Sequence, residues 1–118
     1  MSSNSAKIKK LINNYRAYNK QNLPYQSIGN IKGVRNTRKR LKILNLPEDF
    51  SNKTVLDIGC STGVFCFEAY KRNARRCVGI DMSHQPINIA LGLRSRVKNP
   101  SRLDFRVYNI NEGLLHLC

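Results

Sequence analysis

Between Lys53 and Tyr108 the hydrophobic pattern alternates between two periods, and this alternation restricts the fold more than any other feature of the chain. Lys53-Thr54-Val55-Leu56-Asp57-Ile58 is a short apolar run with the profile of a buried strand. Gly59 to Gly63 is a turn, and Val64 to Arg72 reads as a helix with Val64, Phe65 and Phe67 among its packing groups. Asn73-Ala74 leads into a second strand, Arg76-Cys77-Val78-Gly79-Ile80-Asp81. Pro86 suits the first turn of a following helix, which runs to about Val97 and stops before Asn99-Pro100. Leu103 to Tyr108 alternates apolar and polar residues as a third strand. The order strand, helix, strand, helix, strand predicts an α/β fold with a parallel sheet and right-handed crossovers.

In such sheets ligands bind beyond the carboxyl ends of the strands. Three clusters should therefore share one rim: Asp57 to Gly63, Asp81 to Ser83, and Asn109-Ile110. In the first, Gly59 and Gly63 allow a sharp turn and close approach of backbone to a ligand. Two phosphate-binding patterns are excluded. No Gly-Lys pair follows, so the GxxxxGK[ST] loop is absent. Ser61 and Val64 occupy the second and third glycine positions of the dinucleotide pattern GxGxxG, which leaves a nicotinamide oxidoreductase poorly supported. A nucleoside ligand without a pyrophosphate fits better. An acid closing the second strand can accept hydrogen bonds from both ribose hydroxyls, and Asp81 follows Asp57 at close to the expected interval of about 20 residues. The competing reading of Asp81 is a turn or helix-capping acid, and that of Asn109 a simple turn asparagine.

The first fifty residues are different in character. Ile8, Leu11, Ile12 and Tyr15 fall on one face of a helix spanning roughly residues 5 to 20. Leu23-Pro24 breaks it, residues 24 to 34 read as a loop or lid, and a second helix starts near Asn36 or Thr37 and ends before Pro47. The expected organisation is a basic helical extension or lid over residues 1–50 and a ligand-binding half over 51–118. Arg35 to Lys42 is the densest cationic run. The 118 residues hold 21 Lys+Arg against 7 Asp+Glu, a net charge of +14. That surplus points either to RNA as a partner or to a solvated basic surface. No apolar run is long enough to span a membrane, and no signal-peptide core precedes the helix. Cys60, Cys66, Cys77 and Cys118 form no CxxC pair, and His84 and His116 lack ligand spacing, so no metal site is expected. Cys66 and Cys77 sit in apolar surroundings as buried thiols, which suits a reducing, cytoplasmic setting.

VLDIGCSTG followed by VGID resembles motif I and the following acidic strand of class I methyltransferases, over roughly residues 51 to 112. The resemblance implies the first strands of a Rossmann-like sheet that binds S-adenosylmethionine. By position it implies that Asp57, Gly59, Cys60, Ser61 and Gly63 cradle the methionine portion, that Asp81 holds the ribose, and that Met82 packs on the adenine. Asn109, beside Ile110, stands where many relatives carry an Asp to the adenine amino group; its amide oxygen can accept that bond without charge assistance. Tyr25-Gln26-Ser27-Ile28, Gly33 and Arg35 to Arg38 are also similar to the region before motif I in tRNA wobble-uridine methyltransferases. That likeness makes Tyr25, Arg35 and Arg38 candidates for an anionic substrate group or the methionine carboxylate. The alternative is a solvent-facing helix.

Methyl transfer to RNA or to a small molecule is the function expected, with no catalytic residue assigned. In related proteins the sheet continues past the third strand, so the chain reads as truncated, or as half of a split or dimeric enzyme that self-associates through an exposed sheet edge. A non-catalytic module that binds S-adenosylmethionine or RNA is the alternative.

Overall fold

A computed structural model describes residues 2–16 and 37–113. Tyr25 and Arg35 lie outside the described residues. The elements are α1 (Ser2–Arg16), α2 (Thr37–Leu44), β1 (Thr54–Ile58), α3 (Val64–Lys71), β2 (Arg76–Asp81), α4 (His84–Arg94) and β3 (Leu103–Val107), with short 3-10 turns at Pro100–Arg102 and Ile110–Glu112. The strands form one parallel sheet in the order β1-β2-β3. This is the α/β, Rossmann-like arrangement that the alternating periods predict.

The register fixes what shares a face. Asp57 pairs with Gly79 and Gly79 with Phe105. With side chains alternating along each strand, Val55, Cys77, Leu103 and Phe105 therefore lie on one side. Both crossovers run in the same direction across the sheet, so α3 and α4 cover that same side. Cys66 and Ala69 of α3, Ile87 and Ala90 of α4, and Cys77, Leu103 and Phe105 of the sheet form the main core. The rings of Phe67 and Phe105 meet at 5.3 Å. A second cluster joins Ile8 and Ile12 of α1 to Ile89 of α4, which confirms the apolar face read for the first helix. Gly92 permits this docking: a Cβ there would come within 3.0 Å of Ile8.

Local signals explain the boundaries. Helix α3 ends on Asn73, a left-handed residue with φ 72°. The Asn73 N–H then donates to Tyr70 O and the Ala74 N–H to Ala69 O, the paired bonds of a Schellman stop. Arg72 donates to the carbonyls of Leu46 and Pro47 and pairs with Glu68, which fastens the segment before β1 to α3. Helix α4 starts two residues before Pro86 and stops at Arg94, short of Val97, because Arg96 and Val97 already turn back onto the carbonyls of Leu93 and Arg94. Strand β3 ends one residue before Tyr108.

One expectation is corrected. β1 reads as a buried strand, yet Leu56 and Ile58 are 44% and 50% exposed. They point away from α3 and α4, at the edge of the sheet. On the same face Val78 and Ile80 are buried beside Tyr108, and further across Asp104 pairs with Arg76 and Arg106. A run of apolar residues fixes a strand but does not say that both of its faces are covered.

The close approach of the turn after β1 to the middle of β2 depends on Gly79. A Cβ there would lie 2.9 Å from both Cys60 Sγ and a Phe105 ring carbon. Gly79→Ala is expected to destabilise the fold by about 1–3 kcal/mol. Thermal unfolding followed by circular dichroism should show this as a fall of several degrees in Tm.

Candidate functional site

The candidate site is built where β1 and β2 end. Gly59 and Gly63 take φ of 74° and 89°, which bends the chain sharply from β1 into α3. A side chain at Gly63 would strike the Phe105 ring at 2.7 Å, so the turn lies directly on the core. The carbonyl of Ile80 accepts hydrogen bonds from the N–H of Gly59 at 2.8 Å and of Cys60 at 2.9 Å. The next amide, that of Ser61, donates to Asp81 Oδ2 at 2.9 Å. Three consecutive amides are thus engaged by the end of β2. Phosphate-binding turns keep such amides for the ligand. This turn has committed them, which agrees with the missing phosphate motifs.

Asp81 is held by both of its oxygens, because Oδ1 accepts from the Ser83 N–H at 3.0 Å. The two readings of this acid merge. It closes a local turn before α4, and it also ties that turn to the glycine-rich one. Each oxygen keeps a lone pair, so the carboxylate can still accept from a pair of hydroxyls. Beside it, Met82 is 63% exposed, and Val107 and Ile110 are each 38% exposed. These are apolar groups left uncovered on the rim. Asn109 Oδ1 accepts from the Asn111 N–H at 3.0 Å and so caps the short turn at Ile110. One lone pair of that amide oxygen is therefore already used.

Asp57 sits on the helix-covered side of β1, and its Oδ2 is buried without a hydrogen-bond partner. Ser61 Oγ is in the same condition. Burial, and then the charge of Asp81, push the Asp57 carboxyl up to about 6. Burial, with the charges of Asp57 and Asp81 added, pushes the Cys60 thiol up to about 12, and burial pushes Cys77 up to about 11. The Cys66 thiol is also raised by burial. These thiols stay protonated at neutral pH and have no nucleophilic character there. Arg38 is exposed on α2, away from these groups in sequence and without a described link to them. Among the described residues no cluster of His, Cys, Asp and Glu is arranged to hold a metal, and no helix is long and apolar enough to cross a membrane.

Sequence spacing alone locates the turn and both acids. It does not reveal that Ser61 takes φ 52°, although its position where a glycine is expected was a signal. It also misses the chain of amides running into Ile80 and Asp81.

The Asp57 shift has a consequence for stability. Burial penalises its charged form, so the stabilisation from a neutral Asp57 is complete below pH ~4 and is lost as the pH rises through about 6. Asp57→Asn should match the wild type near pH ~4 and exceed its stability by on the order of 1–3 kcal/mol near pH ~7.5. Urea unfolding of both proteins across that range checks the expectation, and a constant difference would contradict it.

Comparison with known proteins follows the same line. Residues 49–117 match the methyltransferase-domain family. Over 39 residues the chain is 46% identical to the ribosomal protein L11 methyltransferase of Shewanella pealeana, covering 33% of this chain and 13% of that protein. A solved structure from Listeria monocytogenes, described as an S-adenosylmethionine-dependent methyltransferase, aligns with 32% identity and a TM-score of 0.51 over 63% of this chain and 32% of its own. The bifunctional kinase-methyltransferase WbdD aligns with 26% identity and a TM-score of 0.67 over 91% of this chain and 24% of its own. The chain therefore spans no more than 32% of any of these three proteins. Since the family match takes in more than half of the chain, and the sheet and turn have the corresponding form, the chain belongs to the class I, Rossmann-like methyltransferase-domain family.

Proposed function

We propose that this chain is the S-adenosylmethionine-binding part of a methyltransferase. The observation that carries this reading is the pair of acids near the ends of β1 and β2, with the turn that follows Asp57 fastened to Asp81 through the Ser61 amide. When bound, S-adenosylmethionine supplies a methyl group on a positively charged sulfur, already reactive toward a nucleophile. The protein's task is to bind and orient. Asp81, fixed by two backbone amides, accepts from the ribose hydroxyls. Asp57 offers an unpartnered carboxylate oxygen to the methionine ammonium. Gly59, Cys60, Ser61 and Gly63 shape the turn around the methionine end, and Met82 and Ile110 give apolar contact to the adenine. Asn109 keeps one lone pair for the adenine amino group. The buried, unpartnered oxygen of Asp57 and the exposed apolar rim fit this ligand, and the committed amides of the turn do not fit a pyrophosphate.

The reading extends to organisation and partners. Residues 51–118 form the cofactor-binding half and 1–50 a basic extension or lid, held by Ile8 and Ile12 against α4. RNA is the favoured acceptor, on the strength of the +14 charge and of Arg38, Arg40 and Lys42 exposed on α2. Buried thiols at Cys60, Cys66 and Cys77 suit a cytoplasmic protein. The +14 charge also favours a second reading, in which the chain is a non-catalytic module that binds RNA.

Calorimetric titration tests the proposal. The chain should bind S-adenosylmethionine saturably and show no binding of NAD. Asp81→Ala should lose at least ~30-fold in affinity, the worth of one or two charge-assisted hydrogen bonds, while its far-ultraviolet circular dichroism stays that of the wild type. Binding of NAD in preference, or an unchanged affinity in Asp81→Ala, would defeat it. The second reading expects RNA binding that weakens steeply with salt and no uptake of S-adenosylmethionine.

A further inference from the structure

Lysine and arginine are not spread evenly over the sheet and its two helices. The strand-to-helix connections at 59–63 and 82–83 contain neither, and nor does the stretch from Val107 to Gly113. These segments make the rim of the candidate cofactor site, and the acids beside it are Asp57, Asp81 and Glu112. The cations lie at the other end. Lys53 comes just before β1, and Lys71, Arg72, Arg75 and Arg76 run from the last residue of α3 to the first of β2. Arg94, Arg96, Lys98 and Arg102 run from the last residue of α4 to the turn before β3. In a parallel sheet with helical crossovers all such connections fall at the amino ends of the strands. Between Ser51 and Gly113 the one cation placed elsewhere is Arg106, within β3.

Backbone bonds draw these segments together. The Arg75 N–H donates to the Lys53 carbonyl at 2.9 Å. The Asn99 N–H donates to the Tyr70 hydroxyl at 2.8 Å, which brings the segment of Lys98 to the end of α3. Cys77 pairs with Leu103, so Arg76 and Arg102 stand on neighbouring strands, about 5 Å apart. Three of the cations serve the fold: Arg72 and Arg94 donate to backbone carbonyls, and Arg76 pairs with Asp104. Lys71, Arg75, Lys98 and Arg102 are exposed and make no ion pair among the described residues. The negative end of the α3 dipole accounts for Lys71. Arg75 and Lys98 lie outside any helix, and Arg102 closes a turn of three residues. Crowding like charges at one end destabilises the free protein by mutual repulsion, which an anionic partner relieves.

The chemistry of the end favours a phosphate backbone over a membrane. None of the large exposed apolar residues lies in these connections, so there is nothing to insert into a bilayer. Arginine outnumbers lysine there by six to three, and its planar fork grips phosphate through two parallel N–H groups. We propose that the amino end of the sheet is a docking surface for the phosphodiester backbone of RNA, separate from the cofactor rim. The two ends are one strand length apart, on the order of 17–20 Å. RNA held here leaves the cofactor rim open and must pass around the side of the sheet to bring a base to it. The inference rests on the acceptor reading above for the choice of RNA among polyanions; the surface itself does not depend on that reading.

Fluorescence anisotropy with a labelled uridine-rich RNA of about 20 nucleotides tests it over a range of salt. Loss of two phosphate contacts in Arg75→Ala/Arg102→Ala should lower the slope of log affinity against log salt by about 1.4 and weaken binding roughly 20-fold near 0.1 M salt. Lys9→Ala/Lys10→Ala removes the same charge from the exposed side of α1 and should lose less than about threefold. Arg75→Lys/Arg102→Lys keeps the charge and should recover most of the binding, which separates a lost contact from a damaged fold. Saturating S-adenosylmethionine should leave the RNA affinity within about twofold, because the two surfaces are apart. Equal losses in the two alanine variants would reduce the effect to net charge and overturn the proposal. Competition between RNA and S-adenosylmethionine, or capture by phosphatidylserine vesicles in preference to RNA, overturns it as well. A wild type that binds no RNA defeats both this surface and the RNA acceptor, while calorimetric uptake of S-adenosylmethionine still decides the cofactor reading by itself.

Discussion

The site depends on one short run of hydrogen bonds, in which the amides of Gly59, Cys60 and Ser61 are taken up in sequence by the Ile80 carbonyl and the Asp81 carboxylate. These bonds are long-range: residues from the end of β1 are fastened to the end of β2, with a whole helix between them. They hold the two acids at a fixed relation before any ligand arrives. They also decide what kind of ligand the turn can take. A turn whose amides are free attracts phosphate. In this turn the amides of Gly59, Cys60 and Ser61 are spent, and the buried oxygens beside them that lack partners belong to Asp57 and Ser61. Close packing enforces the arrangement, because Gly79 and Gly63 leave no room between the turn, Cys60 and the Phe105 ring.

Much of this was legible in the sequence, for identifiable reasons. The sheet was readable because parallel strands are short apolar runs separated by helices, and the chain repeats that unit. Asp57 and Asp81 were readable because each closes such a run, at an interval close to that of a nucleoside-binding unit. The apolar face of α1 was readable from its helical spacing, and Ile8 and Ile12 occupy the places assigned to them. What could not be read was set by contacts between distant residues. Arg72 bonds to the carbonyls of Leu46 and Pro47, some 25 residues earlier, and no local pattern marks an arginine for that task. The exposure of Leu56 and Ile58 depends on which faces of the sheet are covered, and strand propensity is silent on that point. The left-handed turn at Ser61 overrides the ordinary preference of serine, and only its place in a glycine-rich run hinted at it.

The two faces of the sheet follow different physics. The face under α3 and α4 is held by packing, with Cys77, Leu103 and Phe105 all at most 5% exposed. The opposite face is divided. At its β1 edge it presents Leu56 and Ile58, and toward β3 it presents Asp104 between Arg76 and Arg106. The Asp104 carboxyl is held below its ordinary range by its hydrogen bonds to Arg106 and Arg76. Ion pairs this exposed contribute little to stability. They do define a polar boundary to the apolar strip, and they place cations beside it.

Left-handed non-glycine residues are spread among the turns, at Asn45, Asn52, Ser61 and Asn73, but the unpartnered buried oxygens are not. The main core is closely packed, and the helix ends are closed by backbone bonds. The buried side-chain oxygens left without partners among the described residues are those of Asp57, in β1, and of Ser61, four residues on in the turn. If these were random defects of a marginal fold, they should be scattered among the loops and easily removed by substitution. A glycine at 61 would remove the serine oxygen without disturbing the backbone bond to Asp81, whereas an asparagine at 57 would remove the charge and still bury an amide. Both lie near the carboxyl end of β1, on the rim where open parallel sheets bind ligands and where strained or unsatisfied groups collect in such folds.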